Sequence, residues 1–111
     1  MAEIKIPFGL MFRKRMLDGR KTSTTRLMRY GEPGDTFHAF GAEFELWAVV
    51  LRTLGDVRDL EYQREGFTTP LEFWRVWQAL HSRRIPWDGD KVWFHVFRRL
   101  PADVPAGRRP V

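Results

Sequence analysis

The feature that most restricts the possible folds is a short segment near the end of the chain that is apolar on both of its faces. Residues Val92–Phe97 are, in order, Val-Trp-Phe-His-Val-Phe. Alternate side chains of a β-strand point to opposite faces of its sheet. This strand therefore requires a cover on each side, as in a closed barrel or beneath a helix. His95, inside the segment, is interpreted as a hydrogen-bonded packing histidine and not as a catalyst.

Other segments are predicted to be strands because of their composition and alternation. Ile4–Ile6 alternates between apolar and polar residues and ends at Pro7. Thr36–Phe40 is a short strand candidate, and Phe44–Leu54 is rich in Val, Leu and Trp with little internal charge.

Helices are predicted between these strands. Phe8–Leu17 carries apolar residues at three- and four-residue spacings, which is typical of a short amphipathic helix. Val57–Arg64 has helical spacing, and Asp56 precedes it as a potential cap.

A third helix is predicted from Thr69-Pro70-Leu71-Glu72, which is a capping box with proline at the first helical position. This helix is expected to run to about Arg83 and to bury one stripe of side chains, namely Phe73, Val76, Trp77 and Leu80. Strands with helices inserted between them indicate an α+β fold, a small mixed β-barrel with two or three helices.

Composition limits the domain count and the chemistry. The 111 residues, 43% of them hydrophobic, predict one packed domain at residues 1–100 and a flexible basic tail at residues 101–111. Cysteine is absent, which excludes disulfides and thiol catalysis. The three histidines, His38, His81 and His95, lack the spacing of metal ligands, so we expect neither a metal nor another cofactor. The apolar run Leu46–Leu51 is far too short to span a membrane, and the expected location is the cytoplasm.

The positive charge of the chain is concentrated in one segment. The window Met11–Tyr30 holds seven Lys or Arg and one acid, a charge of +6, whereas the whole chain carries +5. Within it, Gly19–Arg26 (GRKTSTTR) combines three cations and four hydroxyls without a carboxylate. Such a segment suits a phosphate or another anionic oxygen. Charge alone also allows a solvated basic surface whose partner is another protein.

The order of four elements resembles a known family. The G-x-K-x-x-T-x-R pattern of Gly19–Arg26, after a basic helix, resembles the signature of the ASCH domain family, a branch of the PUA-like β-barrel superfamily. Pro33–Asp35, Glu65–Phe67 and Val92–Phe97 resemble that family's turn, second cleft segment and last strand. The resemblance covers Ile4–Arg98. It implies a PUA-like barrel with a cleft, lined by the signature segment, that holds RNA or a nucleoside.

The resemblance also implies a possible activity. Some small members of the family are similar to amidohydrolases that remove an acyl group from the exocyclic amine of N4-acetylcytidine. Matched by position, their catalytic residues fall on Lys21, Thr24 and Glu65, and Glu61 is the alternative carboxylate one helical turn away. In this chemistry a neutral lysine activates the threonine hydroxyl, and a carboxylic acid protonates the departing amine.

The amidohydrolase hypothesis sets two physical conditions. The pKa of Lys21 must fall toward neutrality, and Arg20 and Arg26 are expected to lower it by like-charge repulsion. In a straight strand, Lys21 and Thr24 point to opposite faces, so the backbone between them must contain a bend or a bulge.

Three functions therefore remain open at this stage, and the oligomeric state is not indicated. The first is binding of RNA or a nucleoside in a basic cleft, with phosphate contacts from cations and a base stacked on an aromatic ring. The side chains predicted for it are Arg13, Arg15, Arg20, Lys21, Arg26, Tyr62, Phe67 and Trp74. The second is the amidohydrolase. A third alternative is an RNA-cleaving enzyme in which Lys21 and Arg26 stabilise the phosphorane without a metal.

Overall fold

The strands of this chain form a curled antiparallel sheet that makes up half of a barrel. The computed structural model describes residues 1–102. Within that range the strands are β1 (Ser23–Arg26), β2 (Thr36–Ala39), β3 (Ala42–Thr53) and β4 (Lys91–Arg99), in the spatial order β1-β4-β3-β2. The helices are a 3₁₀ turn at Leu10–Phe12, α1 (Arg13–Leu17), α2 (Leu54–Glu61) and α3 (Pro70–Leu80). The α+β, PUA-like prediction is confirmed.

Strand β4 lies inside the sheet, between β1 and β3, and side chains on both of its faces are buried. Val92 and His95 are completely buried, and Phe94 and Phe97 are nearly so. Phe97 packs edge-on against Phe37 and Phe44, with ring centroids 5.5 and 5.4 Å away. The three rings lie together in the hydrophobic core, and they stabilise the fold mainly through the large apolar area that they bury.

The capping box starts α3 as predicted, because the Thr69 hydroxyl accepts a hydrogen bond from the Glu72 amide at 3.0 Å. The Glu72 carboxylate in turn accepts one from the amide of Thr68 at 3.0 Å. Phe73 and Trp77 are buried. The helix ends at Leu80 and not at Arg83, and Leu80 is 62% exposed, so the prediction that Leu80 is buried was wrong.

Three other helix and strand predictions need correction. Helix α2 begins at Leu54 and is capped by Thr53, whose hydroxyl accepts from the Asp56 amide, so Asp56 lies inside the helix. The helix predicted at Phe8–Leu17 begins only after Gly9, whose backbone is extended. The strand predicted at Ile4–Ile6 is reduced to an isolated parallel bridge between Glu3 and Thr36.

The predicted tail, residues 101–111, falls almost wholly outside the described residues. Among residues 1–102, no helix has the length and apolarity needed to cross a membrane.

Candidate functional site

The backbone of the signature segment is bent at the place that the chemistry requires. The amides of Thr22 and Ser23 both donate to the carbonyl of Arg64, at 2.7 and 3.0 Å. Consecutive amides of a regular strand point in opposite directions, so two donors on one acceptor mark a bulge. As a result, Lys21 and Thr24 both line the same cavity although they are three residues apart.

This cavity, which we call the Lys21 cavity, has a volume of about 450 Å³. Its size lies within the range of small-molecule sites, roughly 300–1,000 Å³. Most of its wall is apolar and comes from the chain before α1 and from α3. Its apolar lining comprises Pro7, Phe8, Gly9, Phe12, Phe67, Phe73, Val76, Trp77 and Leu80. The polar lining comprises Lys21, Thr24, Thr25, Arg26, Glu65 and His81.

Backbone pairing brings Lys21 and Glu65 together across 44 residues of sequence. The two residues form an isolated antiparallel bridge, and the Lys21 Nζ donates to the Glu65 carbonyl at 3.1 Å. The Ser23 hydroxyl donates a hydrogen bond to Glu65 Oε2. Glu65 is 3% exposed, so its carboxylate is held by the protein and not by bulk water.

The structure distinguishes Glu65 from the alternative carboxylate. Glu61 forms ion pairs with Arg52 at 3.6 Å and with Arg64 at 3.4 Å, and it does not line the Lys21 cavity. Glu65 is the carboxylate that the fold places beside Lys21.

A glycine allows Lys21 and the loop after Glu65 to pack closely. Gly66 has a φ of +93°, a conformation that side chains other than glycine rarely adopt. A Cβ atom there would lie 2.9 Å from the Cβ of Lys21. The Glu65–Phe67 segment therefore depends on glycine at its centre.

Burial dominates the electrostatics of Lys21. The side chain is 2% exposed, and its Nζ lies 4.5 Å from the centre of the Phe12 ring. Burial lowers the pKa of Lys21 from 10.5 to about 8, the attraction of Glu65 opposes this shift, and repulsion from Arg26 and Arg15 adds to it. Arg20, which was predicted to lower the pKa of Lys21, is not among the groups that do so; burial and Arg15 act in its place. Near neutral pH a minor but substantial fraction of Lys21 is thus unprotonated.

Arg26 is held at the edge of the cavity and contacts Thr24. Its Nε donates to Thr24 Oγ1 at 3.2 Å, and its Nη2 donates to the Pro7 carbonyl at 2.6 Å. The guanidinium lies over the rings of Phe8 and Tyr30, with centroids 5.0 and 5.7 Å away. These contacts orient the Thr24 hydroxyl and connect the signature segment to the chain before α1.

The other cations predicted to bind phosphate lie outside the Lys21 cavity. Arg20 is exposed and pairs with Asp18 at 2.8 Å. Arg13 is exposed and lines a separate hollow along α1. Arg15 is closer to the site, because its guanidinium lies 5.5 Å from the Phe67 ring.

Of the aromatic side chains predicted to stack on a base, Phe67 lines the cavity. Trp74 lies outside it, beneath the guanidinium of Arg58 at 4.9 Å, and Tyr62 is also outside the lining. The aromatic rings that do line it include Phe8, Phe12, Phe73 and Trp77. Phe73 and Trp77 belong to the hydrophobic core, as predicted, and also line the cavity. The apolar stripe of a helix does not show whether it also faces a cavity.

His95 is fully hydrogen-bonded, as expected for a packing histidine. Its Nε2 accepts from the Tyr30 amide at 3.1 Å, and its Nδ1 lies 3.1 Å from the Trp93 carbonyl and 3.3 Å from that of Thr24. Burial lowers its pKa, which favours the neutral ring. Within residues 1–102, no group of three or more His, Asp or Glu side chains is arranged to hold a metal ion.

Comparison with known proteins gives a clear result in structure only. No protein-family profile matches the sequence, and no curated protein matches it significantly. A crystal structure of the hypothetical protein PH0355 superimposes with a TM-score of 0.63 at 12% identity, over 84% of this chain and 94% of that one. An ASCH domain from Lactobacillus crispatus gives 0.56 at 14% identity, over 88% and 77%. Protein EF3133 from Enterococcus faecalis, assigned to the family DUF984, gives 0.57 at 16% identity, over 81% and 70%. At these identities the likenesses establish the fold.

Proposed function

This chain has the fold of the ASCH domains, and we propose that its Lys21 cavity binds one acylated nucleoside and hydrolyses the amide on the exocyclic amine, as in N4-acetylcytidine. The observation that carries the proposal is a buried lysine with a pKa of about 8 in the same cavity as a threonine hydroxyl and a buried carboxylate. Perturbed titratable groups that converge in a cavity are typical of catalytic sites.

In the first half-reaction, the neutral amine of Lys21 removes the proton from Thr24 Oγ1, which attacks the acyl carbon. The bond between that carbon and the exocyclic nitrogen then breaks. The Lys21 ammonium returns the proton to the departing nitrogen, so free cytidine leaves and the acyl group remains as an ester on Thr24. Arg26, which donates to Thr24 Oγ1, keeps the hydroxyl oriented.

In the second half-reaction, water hydrolyses the ester. The carboxylate of Glu65 takes a proton from the attacking water and gives it to Thr24 Oγ1 as acetic acid leaves, which restores all three side chains. In the resting site, one carboxylate oxygen of Glu65 accepts a hydrogen bond from Ser23, as an oxygen does when it carries no proton. We therefore assign to Glu65 the role of base toward water, and to Lys21 the protonation of the departing amine.

A single nucleoside suits the Lys21 cavity better than a polymer does. The walls are mainly aromatic and aliphatic, which favours stacking of one flat base. The two cations in the lining are engaged within the protein, Lys21 with Glu65 and Arg26 with Thr24 and Pro7. Both Lys21 and Arg26 would have to give up these contacts in order to bind a phosphate.

The direct test is incubation of the protein with N4-acetylcytidine and measurement of cytidine by chromatography. We expect turnover by the wild type and a loss of about a hundredfold to ten-thousandfold in Lys21→Ala and Thr24→Ala. Lys5→Ala is the matched control, because Lys5 is an exposed lysine outside the cavity. Absence of cytidine with the wild type, or full turnover by Lys21→Ala, contradicts the proposal.

RNA binding without catalysis is the second candidate, and a separate observation favours it. Arg13, Lys14 and Arg20 are exposed on or just after α1 and lie outside the Lys21 cavity. Contacts of these cations with phosphates predict an affinity for RNA that falls steeply as salt rises. Filter binding at low and high salt tests this, and an affinity independent of salt argues against it.

A further inference from the structure

His81 lies where α3 ends, and it is the one histidine in the lining of the Lys21 cavity as described by residues 1–102. Its ring stacks on Trp77, with centroids 4.0 Å apart and an angle of 29° between the planes. Trp77 in turn stacks on Phe73 at 6.2 Å and 15°. The three rings form a continuous aromatic wall along α3, and His81 is its partly exposed end.

The hydrogen bond made by one ring nitrogen determines what the other can do. The Nδ1 of His81 lies 3.0 Å from the carbonyl of Trp77, which can only accept. In the neutral ring Nδ1 must therefore carry the proton, and Nε2 presents a lone pair. No hydrogen bond to Nε2 is made by the residues that the structure describes. Since Nδ1 is committed to the Trp77 carbonyl and His81 lines the Lys21 cavity, Nε2 is the ring nitrogen available to a ligand there.

We propose that His81 is a substrate-binding residue whose Nε2 accepts a hydrogen bond from a hydroxyl of the ligand's sugar. The inference rests on the proposed function, since it assigns a hydrogen-bond partner to the sugar of the bound nucleoside. A base stacks on aromatic walls without hydrogen bonds, whereas sugar hydroxyls need polar partners when they leave water. His81 is the polar side chain of the α3 wall, and the other polar lining residues come from the signature segment and Glu65.

The alternative role for His81 is purely structural. Its backbone amide also donates to the Trp77 carbonyl at 3.0 Å, so the residue closes the last turn of α3. A capping role depends on Nδ1 and the backbone, and a binding role depends on Nε2. The two roles are therefore separable by substitutions that imitate one nitrogen at a time.

His81→Asn places an amide nitrogen near the position of Nδ1 but has no atom at Nε2. His81→Gln extends to the position of Nε2, where its side-chain oxygen can accept, but loses the bond to Trp77. Both variants lose the stacked ring, so their comparison cancels that effect. We expect His81→Asn to raise KM for N4-acetylcytidine about tenfold and to be the more stable of the two variants, since it keeps the hydrogen bond to the Trp77 carbonyl. His81→Gln is expected to keep a KM near the wild-type value and to be the less stable of the two.

Substrates that lack the 2′- or the 3′-hydroxyl complete the test. One of these deoxy analogues is expected to raise KM for the wild type about tenfold, and the same analogue is expected to cause no further loss with His81→Asn. The inference is overturned if His81→Asn binds the substrate like the wild type while His81→Gln is impaired. It is also overturned if each deoxy analogue loses as much affinity with His81→Asn as it does with the wild type. A wild type that neither binds nor hydrolyses N4-acetylcytidine overturns the proposed function and this inference with it. If the wild type hydrolyses N4-acetylcytidine normally, but His81→Asn binds it like the wild type while His81→Gln is impaired, only the inference about His81 is overturned.

Discussion

Lys21 carries a stability penalty that should be relieved as the pH rises, and replacement of this residue by methionine exposes the effect. The pKa of Lys21 falls from 10.5 to about 8 because burial disfavours the ammonium. A difference of this size corresponds to about 3 kcal/mol between the protonated and neutral forms in the folded protein. The side chain is 2% exposed, so screening by solvent does little to reduce that figure.

The sign follows from proton binding in the two states. Below about pH 8 both the folded and the unfolded chain hold the proton, and the penalty is present in full. Between about pH 8 and pH 10.5 only the unfolded chain holds it, so the free energy of unfolding rises by about 1.4 kcal/mol per pH unit. Above that range the Lys21 side chain is neutral in both states.

Urea unfolding of the wild type and of Lys21→Met, followed by tryptophan fluorescence, measures this difference. We expect the wild type to gain about 2–3 kcal/mol relative to Lys21→Met between about pH 8 and pH 10. Lys5→Met serves as the control for removal of a lysine from the surface. A difference between wild type and Lys21→Met that stays constant across this range would falsify the lowered pKa.

Three further substitutions test the architecture of the site and its support. Gly66→Ala introduces a Cβ 2.9 Å from that of Lys21 at a φ of +93°, so unfolding in urea should show a loss of about 1–3 kcal/mol, and equal stability contradicts the strained position. Thr69→Ala removes the cap on the Glu72 amide and should cost about 1 kcal/mol in the same measurement, whereas no change means that the cap adds nothing. Thr25→Val removes a buried hydroxyl that has no hydrogen-bond partner among residues 1–102, so its melting temperature should rise by the equivalent of up to about 1 kcal/mol. A fall for Thr25→Val means that the hydroxyl is paired.

Local patterns were sufficient to predict the elements whose signal lies within a few residues. The two apolar faces of Val92–Phe97 predict a strand covered on both sides, and the structure buries Val92 and Phe94 on one face and His95 and Phe97 on the other. The capping box at Thr69 predicts the start of α3 to the residue. The end of α3 was less predictable, because Leu80 continues the apolar spacing although its side chain is 62% exposed.

The chemistry of the site depends on contacts between distant residues, which no local pattern contains. The pairing of Lys21 with Glu65 and the bulge at Thr22 and Ser23 both arise from the segment at residues 64–65. Burial of Lys21 under Phe12 lowers its pKa more than the neighbouring charges do. The charge pattern of the sequence predicted only that repulsion between cations lowers the pKa of Lys21. It could not predict the effect of burial, because the depth at which a side chain is buried is a property of the whole fold.

The initial rate of cytidine release from N4-acetylcytidine as a function of pH tests the central claim most directly. At low substrate concentration this rate reports the protonation of the free protein. If Lys21 is the base that activates Thr24, the rate rises with pH and levels off above an apparent pKa near 8. The rising limb should disappear in the residual activity of Lys21→Met and persist in Lys5→Met. A wild-type rate that is independent of pH between about 6 and 9, or the same rising limb in Lys21→Met, contradicts the assignment of Lys21 as the catalytic base.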